Sequence, residues 1–322
     1  MKRILVLILA FAMLLGTVTA FADEIKVGII NLDPKESGYR KANVEDLEKQ
    51  FTSENGYDAS FVTAITVEEQ KKAFMDFVEK GVDYILISAA GTAGWDETLQ
   101  AAKNKGIGVF LFDREIECDE GLYLAQVISD MYAEGQTAVN WLEALGLNEY
   151  KILHIQGQLG SAAQKGRSEP LQQKCEQDSN WTIVYEGSGG NSWSSDEAYR
   201  IAKEALDAGK QFNVVYAENN GMANGVCKAL EEEGLSYGPH GDIVIMGFDC
   251  DKWALENLRD GKWNYVGQCS PFQAGIIDAL IHAVENGEDI NSRLNDKKQF
   301  VNVEFFFDNN TITQDQIDIF GT

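Results

Sequence analysis

Proline, cysteine, histidine and basic side chains are all scarce in this chain. Its 322 residues include 4 prolines, 5 cysteines and 3 histidines, and 27 Lys and Arg stand against 51 Asp and Glu, for a formal net charge of -24. Nucleic acids and anionic membrane surfaces repel such a protein, so we expect neither as a partner. With 44% hydrophobic and 24% charged residues, the chain is nevertheless typical of a globular protein.

The cysteines are too few, and odd in number, for a disulfide scaffold. They stand at positions 118, 175, 227, 250 and 269, and none forms a Cys-x-x-Cys pair. The sequence therefore indicates neither a zinc ribbon nor a thioredoxin-like redox site. Two disulfides at most could form, the spacing selects no pairing, and free thiols fit the pattern as well.

Sequence signatures of enzymes are also missing. The chain has no G-x-G-x-x-G after a strand, no Walker A motif, no H-E-x-x-H and no G-x-S-x-G. His154 lies in an apolar run and is predicted to be structural. Neither 249–251 nor 285–289 matches a calcium loop, so we expect no metal and no cofactor. A glycosidase with paired carboxylates remains open on composition alone.

The first 22 residues have the pattern of a secretory signal peptide. A cationic start, Met1-Lys2-Arg3, precedes an uncharged apolar run over 4–16, and Ala20-Phe21-Ala22 has the small residues of a cleavage site. The apolar run is too short to cross a bilayer comfortably, although an uncleaved N-terminal anchor is the alternative. We therefore expect an exported protein that begins after Ala22.

Short apolar runs alternate with amphipathic helical stretches along the rest of the chain, which predicts parallel β-α-β units. Ten strands exceed one comfortable sheet, so we expect two similar lobes. With four prolines and no Gly/Ser-rich linker, the lobes are expected to exchange segments. The ten predicted strands are 26–31, 59–63, 84–88, 109–112, 122–128, 151–156, 182–185, 214–217, 243–247 and 265–268.

Polar and aromatic side chains follow these runs with unusual regularity. In open α/β sheets, ligands bind beyond the carboxyl ends of the strands. Aromatic faces stack on the apolar side of a sugar ring, while guanidinium and carboxylate groups bond its hydroxyls. The candidate residues at these strand ends are Tyr39, Arg40, Asp113, Arg114, Arg167, Trp193, Asn219, Asp249 and Gln268.

Five of these residues also have a simpler interpretation. Asp249 could cap the helix that follows it. Asp113 and Arg114 could form a surface ion pair that contributes little. Tyr39 and Trp193 could be ordinary core residues. The functional interpretation depends on recurrence at one sheet edge in both halves of the chain.

At these residues the chain resembles the periplasmic sugar-binding proteins of ABC transporters, in the type I or ribose-binding-like group. The first two segments that carry the resemblance look closest to the galactofuranose-binding branch. The segments are Glu36-Ser37-Gly38-Tyr39-Arg40, Thr92-Ala93-Gly94-Trp95, Phe110-Leu111-Phe112-Asp113-Arg114, Gln156-Gly157 with Arg167, Val215-Tyr216-Ala217-Glu218-Asn219 and Gly247-Phe248-Asp249.

The resemblance implies roles for the candidate residues. Tyr39 and Trp193 match aromatic platforms, Arg40 a branch-specific arginine, and Gln268 a glutamine of ribose receptors. Two departures stand out, since Tyr39 replaces a tryptophan and Asn220-Gly221 replaces an acidic pair. The residues that match ligands of the ring hydroxyls are Asp113, Arg114, Arg167, Asn219 and Asp249.

The implied fold is α/β, with two doubly wound parallel-sheet lobes joined by a three-segment hinge. We expect an N-terminal lobe of 23–129 plus 269–298 and a C-terminal lobe of 130–268 plus 299–322, with crossovers near 129/130, 268/269 and 299.

The implied protein is a monomeric, non-catalytic periplasmic receptor. It would deliver a monosaccharide, galactofuranose or another furanose or hexose, to an ABC permease in the inner membrane. A secreted glycosidase and a sugar sensor for a chemoreceptor or kinase are the alternatives.

Overall fold

The computed structural model describes residues 24–189 and 192–322. The predicted signal peptide lies outside the described residues. Within those two ranges, no helix combines the length and apolar character needed to cross a bilayer. All five cysteines are free thiols, which settles the question that their spacing left open.

The first lobe is built around a six-stranded sheet with the order β11-β5-β4-β3-β1-β2. Helices α2 and α3 pack on one face of this sheet, and α1 and α9 pack on the other. Its elements are β1 (Ile25–Asn31), α1 (Gly38–Gln50), β2 (Tyr57–Thr63), α2 (Val67–Lys80), β3 (Tyr84–Ile87), α3 (Asp96–Asn104), β4 (Gly108–Asp113), β5 (Ala125–Ile128), α9 (Ala274–Glu285) and β11 (Gln299–Val301).

The second lobe repeats this arrangement with the strand order β12-β10-β9-β8-β6-β7. Helices α6, α7 and α8 cover one face, and α4 and α5 cover the other. Its elements are α4 (Met131–Ala144), β6 (Tyr150–Gln156), α5 (Ala162–Gln177), β7 (Trp181–Ser188), α6 (Ser195–Asp207), β8 (Val214–Ala217), α7 (Asn220–Glu232), β9 (Val244–Phe248), α8 (Lys252–Arg259), β10 (Tyr265–Gly267), β12 (Phe306–Asp308) and α10 (Gln314–Phe320).

Local sequence explains these elements. Helix α2 starts at a capping box in which Thr66 and Glu69 satisfy each other's backbone N–H groups, and it buries Phe74 and Phe77 against the sheet. Strand β3 is buried along its whole length, because helices cover both faces of a parallel sheet. All ten predicted runs form strands, and the predicted α/β fold with two parallel-sheet lobes is confirmed.

The third crossover differs from the prediction. Gln299–Val301 pairs with β5 in parallel, with Gln299 opposite Gln126, and therefore belongs to the first sheet. Strand β12 pairs with β10 in the second sheet. The predicted boundary between 298 and 299 is therefore wrong, because β11 completes the first sheet before the chain crosses at 302–305. Both strands have three residues, too few to show a periodic pattern.

Candidate functional site

The carboxyl ends of the strands in both sheets meet at a pocket between the lobes. Seven of the nine candidate residues line it: Tyr39, Arg40, Asp113, Arg114, Arg167, Trp193 and Asp249. Five further residues that the sequence analysis did not select complete the lining: Glu36, Ser37, Met131, Ala163 and Cys269.

The wall from the first lobe centres on the ion pair between Arg40 and Asp113. Ser37 caps α1 by accepting from the backbone N–H of Arg40 at 3.1 Å, which fixes Arg40 in the first helical turn. Asp113 ends β4 with a φ of 63°, in the left-handed region. The side chains of Arg40 and Asp113 are only 1% and 3% exposed. Their contact is therefore a buried ion pair, which costs several kcal/mol to break (roughly 3–5).

Further donors converge on the Asp113 carboxylate. Tyr39 donates its hydroxyl to Oδ1 at 2.8 Å, and Ser88 Oγ donates to Oδ2 at 2.7 Å. Burial alone raises the pKa of Asp113, but the charges of Arg40 and Arg114 outweigh it and hold the pKa below its ordinary value. Asp113 is therefore an ionised acceptor, and the surface ion-pair interpretation does not apply to it.

Glu36 links the two arginines of this wall. Its two carboxylate oxygens each accept from Arg114 Nη2 at 3.2 Å, and Oε2 also accepts from Arg40 Nε at 3.2 Å. Sequence reasoning did not select Glu36, although it heads the polar segment that follows β1. Its place at the same strand edge as Asp113 is the signal that could have identified it.

The wall from the second lobe centres on Arg167, which is 2% exposed and lies on α5. Arg167 Nε donates to Glu134 Oε2 at 2.8 Å, Nη2 donates to Asp249 Oδ1 at 2.9 Å, and Nη1 donates to the carbonyl oxygen of Glu218. Asp249 follows β9 with a φ of 98°. Burial raises the pKa of Asp249 above its ordinary value, and the charge of Arg167 opposes that rise.

Close packing of α4 on α5 makes the contact between Glu134 and Arg167 possible. A Cβ added at Gly135 would lie 2.7 Å from the carbonyl oxygen of Gly166 and 3.0 Å from Cα of Arg167. Real side chains do not approach so closely. Glycine at position 135 therefore brings the two helices near enough for a carboxylate on one to reach the guanidinium on the other.

The two walls are built alike. In each lobe the arginine lies on the helix after β1 or β6, the first strand of that lobe in the chain. The aspartate lies at the carboxyl end of β4 or β9, which occupy the same place in the two strand orders. Equal strand orders therefore place one buried Arg–Asp pair at the same edge of each sheet. The pairs Arg40–Asp113 and Arg167–Asp249 face a common space.

Trp193 closes the side of the pocket beside Gly157. A Cβ at Gly157 would overlap the indole ring, so glycine is required there for the ring to lie in place. The Arg167 guanidinium lies 6.0 Å from the ring centroid, within range of a cation–π contact. In the described part of the chain, no acceptor lies within hydrogen-bonding distance of the buried Trp193 Nε1. A ligand oxygen would satisfy this donor.

Two candidates do not line the pocket. Asn219 caps α7 by accepting from the backbone N–H of Met222 at 2.7 Å, and its amide donates to the carbonyl oxygen of Trp193 at 3.4 Å. Asn219 therefore holds the backbone of Trp193 in place without lining the pocket itself. Gln268 accepts from the backbone N–H of Phe305 at 3.0 Å and lines a separate cavity at the crossovers.

The lobes contact each other directly at the rim of the pocket. Arg114 Nη1 donates to Gln158 Oε1 at 3.1 Å, and Gln158 Nε2 donates to the carbonyl oxygen of Ala90 at 3.3 Å. Farther out, Lys165 Nζ lies 2.9 Å from Glu117 Oε1. Gln158 and Lys165 belong to the second lobe and their partners to the first. The structure therefore shows the two lobes closed over the pocket.

The donors that remain free define the chemistry of the pocket. A guanidinium has five N–H groups, and protein acceptors in the described ranges take three of those of Arg167. Two are left for a ligand, beside the carboxylates of Asp113, Asp249 and Glu36. Fixed charged donors next to fixed acceptors suit a neutral ligand whose hydroxyl groups both donate and accept.

His154, on β6, supports the second wall and is fully buried between two glutamates. Its Nδ1 lies 2.7 Å from Glu186 Oε1, and its Nε2 lies 3.1 Å from Glu218 Oε1. Glu218 in turn accepts from the backbone N–H of Gly157, the residue beneath Trp193, at 2.8 Å. Burial alone lowers the pKa of His154, but its hydrogen bonds to Glu186 and Glu218 outweigh burial and raise the pKa to about 9.

We therefore expect His154 to stay protonated in the folded protein at neutral pH. The stability that it contributes is complete below its ordinary pKa of 6.5 and is lost as the pH rises through about 9. NMR titration of the imidazole C–H signals measures this, and a His154→Gln variant assigns the resonance. A midpoint below 7 for that resonance would contradict the expectation.

A known protein family and several of its members are similar to this chain in sequence. A family model described as a periplasmic binding protein domain matches residues 27–289. The galactofuranose-binding protein YtfQ of Escherichia coli K12 is 30% identical over 266 residues, which cover 81% of this chain and 82% of the relative. The fructose import binding protein FruE of Bifidobacterium longum is 30% identical over 253 residues, or 76% of this chain and 74% of the relative.

A solved structure has the same fold as this chain over most of its length. The periplasmic binding protein of the arabinose ABC transporter from Shewanella sp. ANA-3, bound to α- and β-L-arabinofuranose, superposes with a TM-score of 0.81. The two sequences are 27% identical, and the match covers 91% of this chain and 95% of that one.

Proposed function

The chain belongs to the periplasmic binding protein family, and we propose that it binds one furanose sugar between its lobes and delivers it to an ABC permease. In this proposal the protein acts as a monomer in the periplasm after its signal peptide is removed. It is a receptor and returns its ligand unchanged.

One observation carries this proposal: a buried Arg–Asp pair from each lobe faces the same pocket. Ring hydroxyls can accept from the free guanidinium N–H groups and donate to the carboxylates. An analogue that lacks one of these hydroxyls would leave a buried charged group unpaired, which the pocket would reject strongly.

The closed rim of the pocket supports a single sugar ring. The rim is bridged by Arg114–Gln158 and Lys165–Glu117, so a longer saccharide would have to break contacts between the lobes. The furanose form is favoured by the galactofuranose- and arabinofuranose-binding proteins that this chain resembles.

Closure is the proposed signal to the transporter. A ligand held by Arg40 and Asp113 on one side and by Arg167 and Asp249 on the other makes the full set of contacts only when the lobes meet. Such a ligand shifts an open–closed equilibrium toward the closed form. A preference of about 10⁴-fold for the closed form would convert a mostly open population into a mostly closed one.

Asp113 argues against the glycosidase alternative. Hydrolysis by paired carboxylates needs one carboxyl to attack or activate water and the other to protonate the leaving oxygen. Asp113 is held by Arg40, Tyr39 and Ser88, and reaching a reacting carbon would break those bonds.

Isothermal titration calorimetry with a sugar panel tests the proposal. We use arabinose, ribose, galactose and fructose, together with methyl furanosides and pyranosides of galactose. We expect at least one sugar to bind with a Kd on the order of micromolar or tighter, with furanosides ahead of pyranosides. No heat from any sugar at millimolar concentration would refute the proposal.

Two further measurements separate the alternatives. Mass spectrometry after long incubation should recover the bound sugar and the glycosides unchanged, whereas released aglycone would establish a glycosidase. Genes for a permease and an ATPase beside this one would support transport. A neighbouring chemoreceptor or kinase gene would favour the sensor.

A further inference from the structure

All three crossovers between the lobes meet at the carboxyl group of Glu304. Ser129 Oγ, in the first crossover, donates to Glu304 Oε1 at 2.6 Å. The backbone N–H of Ser270, in the second, donates to the same oxygen at 2.6 Å. Glu304 itself lies in the third crossover, between β11 and β12. One side chain therefore joins the three segments on which any hinge motion must act.

A second glutamate lies against this junction. Oxygens of Glu134 and Glu304 and the sulfur of Cys269 all lie within 4.8 Å of one another. Glu134 is 8% exposed, and its Oε2 accepts from Arg167 in the pocket. Among the residues that the structure describes, no donor lies within hydrogen-bonding distance of Glu134 Oε1. A buried acceptor without a donor is costly, so a proton is needed at this place.

The balance of charges also calls for a proton between the two glutamates. Arg167 is the cation in contact with Glu134, and Asp249 already shares this guanidinium. The remaining facing groups are the thiols of Cys250 and Cys269 and the phenols of Tyr216 and Tyr265, whose pKa values burial raises and which are therefore neutral. If both glutamates were ionised, three carboxylates would share one guanidinium. A single added proton halves that excess, from two negative charges to one.

The pKa values of the two glutamates support this count. Burial raises the pKa of Glu134, and the charge of Arg167 opposes the rise. Burial, followed by the negative charge of Glu134, raises the pKa of Glu304 to about 9. Ser129 and Ser270 both donate to Oε1, which leaves Glu304 Oε2 to carry the proton toward Glu134.

We propose that Glu134 and Glu304 share one proton, and that this proton holds the three crossovers to Arg167 and so to the pocket. Its loss places two like charges at the hinge, loosens the crossovers and weakens ligand retention. The ligand part rests on the proposed function, whereas the shared proton does not.

The sign of the pH dependence follows from the raised pKa. The unfolded chain binds this proton only below the ordinary pKa of 4.5, whereas the folded protein keeps it up to about 9. The stability that it contributes is therefore complete below 4.5 and is lost as the pH rises through about 9.

Glu304→Gln is the decisive variant. A glutamine amide can donate to Glu134 as the protonated acid does, and its oxygen can still accept from Ser129 and Ser270. Urea unfolding of the ligand-free protein is measured from pH 5.5 to 10 for wild type, Glu304→Gln and Glu79→Gln, a control at an exposed glutamate on α2. His154 titrates equally in all three proteins, so the comparison cancels its contribution.

We expect the unfolding constant of the wild type to rise, relative to that of Glu304→Gln, about tenfold per pH unit up to pH 9. Glu79→Gln should run parallel to the wild type. Parallel curves for wild type and Glu304→Gln would overturn the proposal. A loss of wild-type stability in EDTA, matched by a poorly folded Glu304→Gln, would also overturn it, because a bridging cation would then replace the proton.

A second experiment measures the Kd for the sugar that binds most tightly in the calorimetric panel. The wild-type Kd should rise between pH 7 and 10, and that of Glu304→Gln should stay constant. If Glu304→Gln shows the same rise, the coupling between hinge and pocket is refuted. If no sugar binds, the proposed function fails, while the unfolding experiment still decides whether the proton is shared.

Discussion

Arg167→Ala should raise the Kd for the sugar by more than a hundredfold. Arg167 holds Glu134 and Asp249 and lies in the pocket with two N–H groups free. Its removal deletes ligand contacts and leaves two buried carboxylates without their counter-charge, a change that costs roughly 3–5 kcal/mol. Part of that cost appears as lower stability, so binding is measured by calorimetry at a temperature where circular dichroism shows the variant folded.

Two arginine variants control this experiment. Arg167→Lys keeps the positive charge, but a single ammonium group cannot contact Glu134 and Asp249 together as the planar guanidinium does. This variant should therefore bind sugar more weakly than wild type and more tightly than Arg167→Ala. Arg200→Ala removes an exposed arginine on α6 and should leave the Kd unchanged. Wild-type binding by a folded Arg167→Ala would show that the pocket is misassigned.

Gly38→Ala should block closure and raise the Kd roughly tenfold or more. Gly38 is the first residue of α1 in the first lobe, and a Cβ there would overlap Asp251 Oδ1 from the second lobe. Asp251 is held by Asn220 Nδ2 at 3.1 Å and is buried, so it has little room to move aside. Alanine is also a better helix former than glycine, so the stability of the ligand-free protein should hold while affinity falls.

Small-angle X-ray scattering with and without sugar measures closure directly, and the radius of gyration of Gly38→Ala should not fall when sugar is added. Gly275→Ala is the matched control, because Gly275 is near the start of α9 with open space where its Cβ would lie. Adding Asp251→Ala should restore closure to Gly38→Ala. If Gly38→Ala binds and closes like the wild type, the two lobes do not approach at this point.

Recurrent strand-end residues were sufficient to find most of the pocket. Asp113 and Asp249 were visible because each follows an apolar run, and carboxyl ends of parallel strands meet at one edge. Glu36 was missed although it obeys the same rule. Glu134 and Glu304 were not among the candidates; Glu134 lies on α4 and Glu304 in the third crossover. No local pattern marks either position.

The amino-acid sequence by itself determined the alternation of strands and helices, the two-lobed α/β class and the polar residues at strand ends. These depend on periodicity and on side-chain chemistry within a few residues, which any stretch of chain carries with it. Only the tertiary structure decided which charges pair, where the third crossover lies and which side chains line the pocket. Arg40 and Asp113 are 73 residues apart, and Arg167 and Asp249 are 82 apart. Strand order and lobe closure bring such residues together, and both are set by packing between distant parts of the chain.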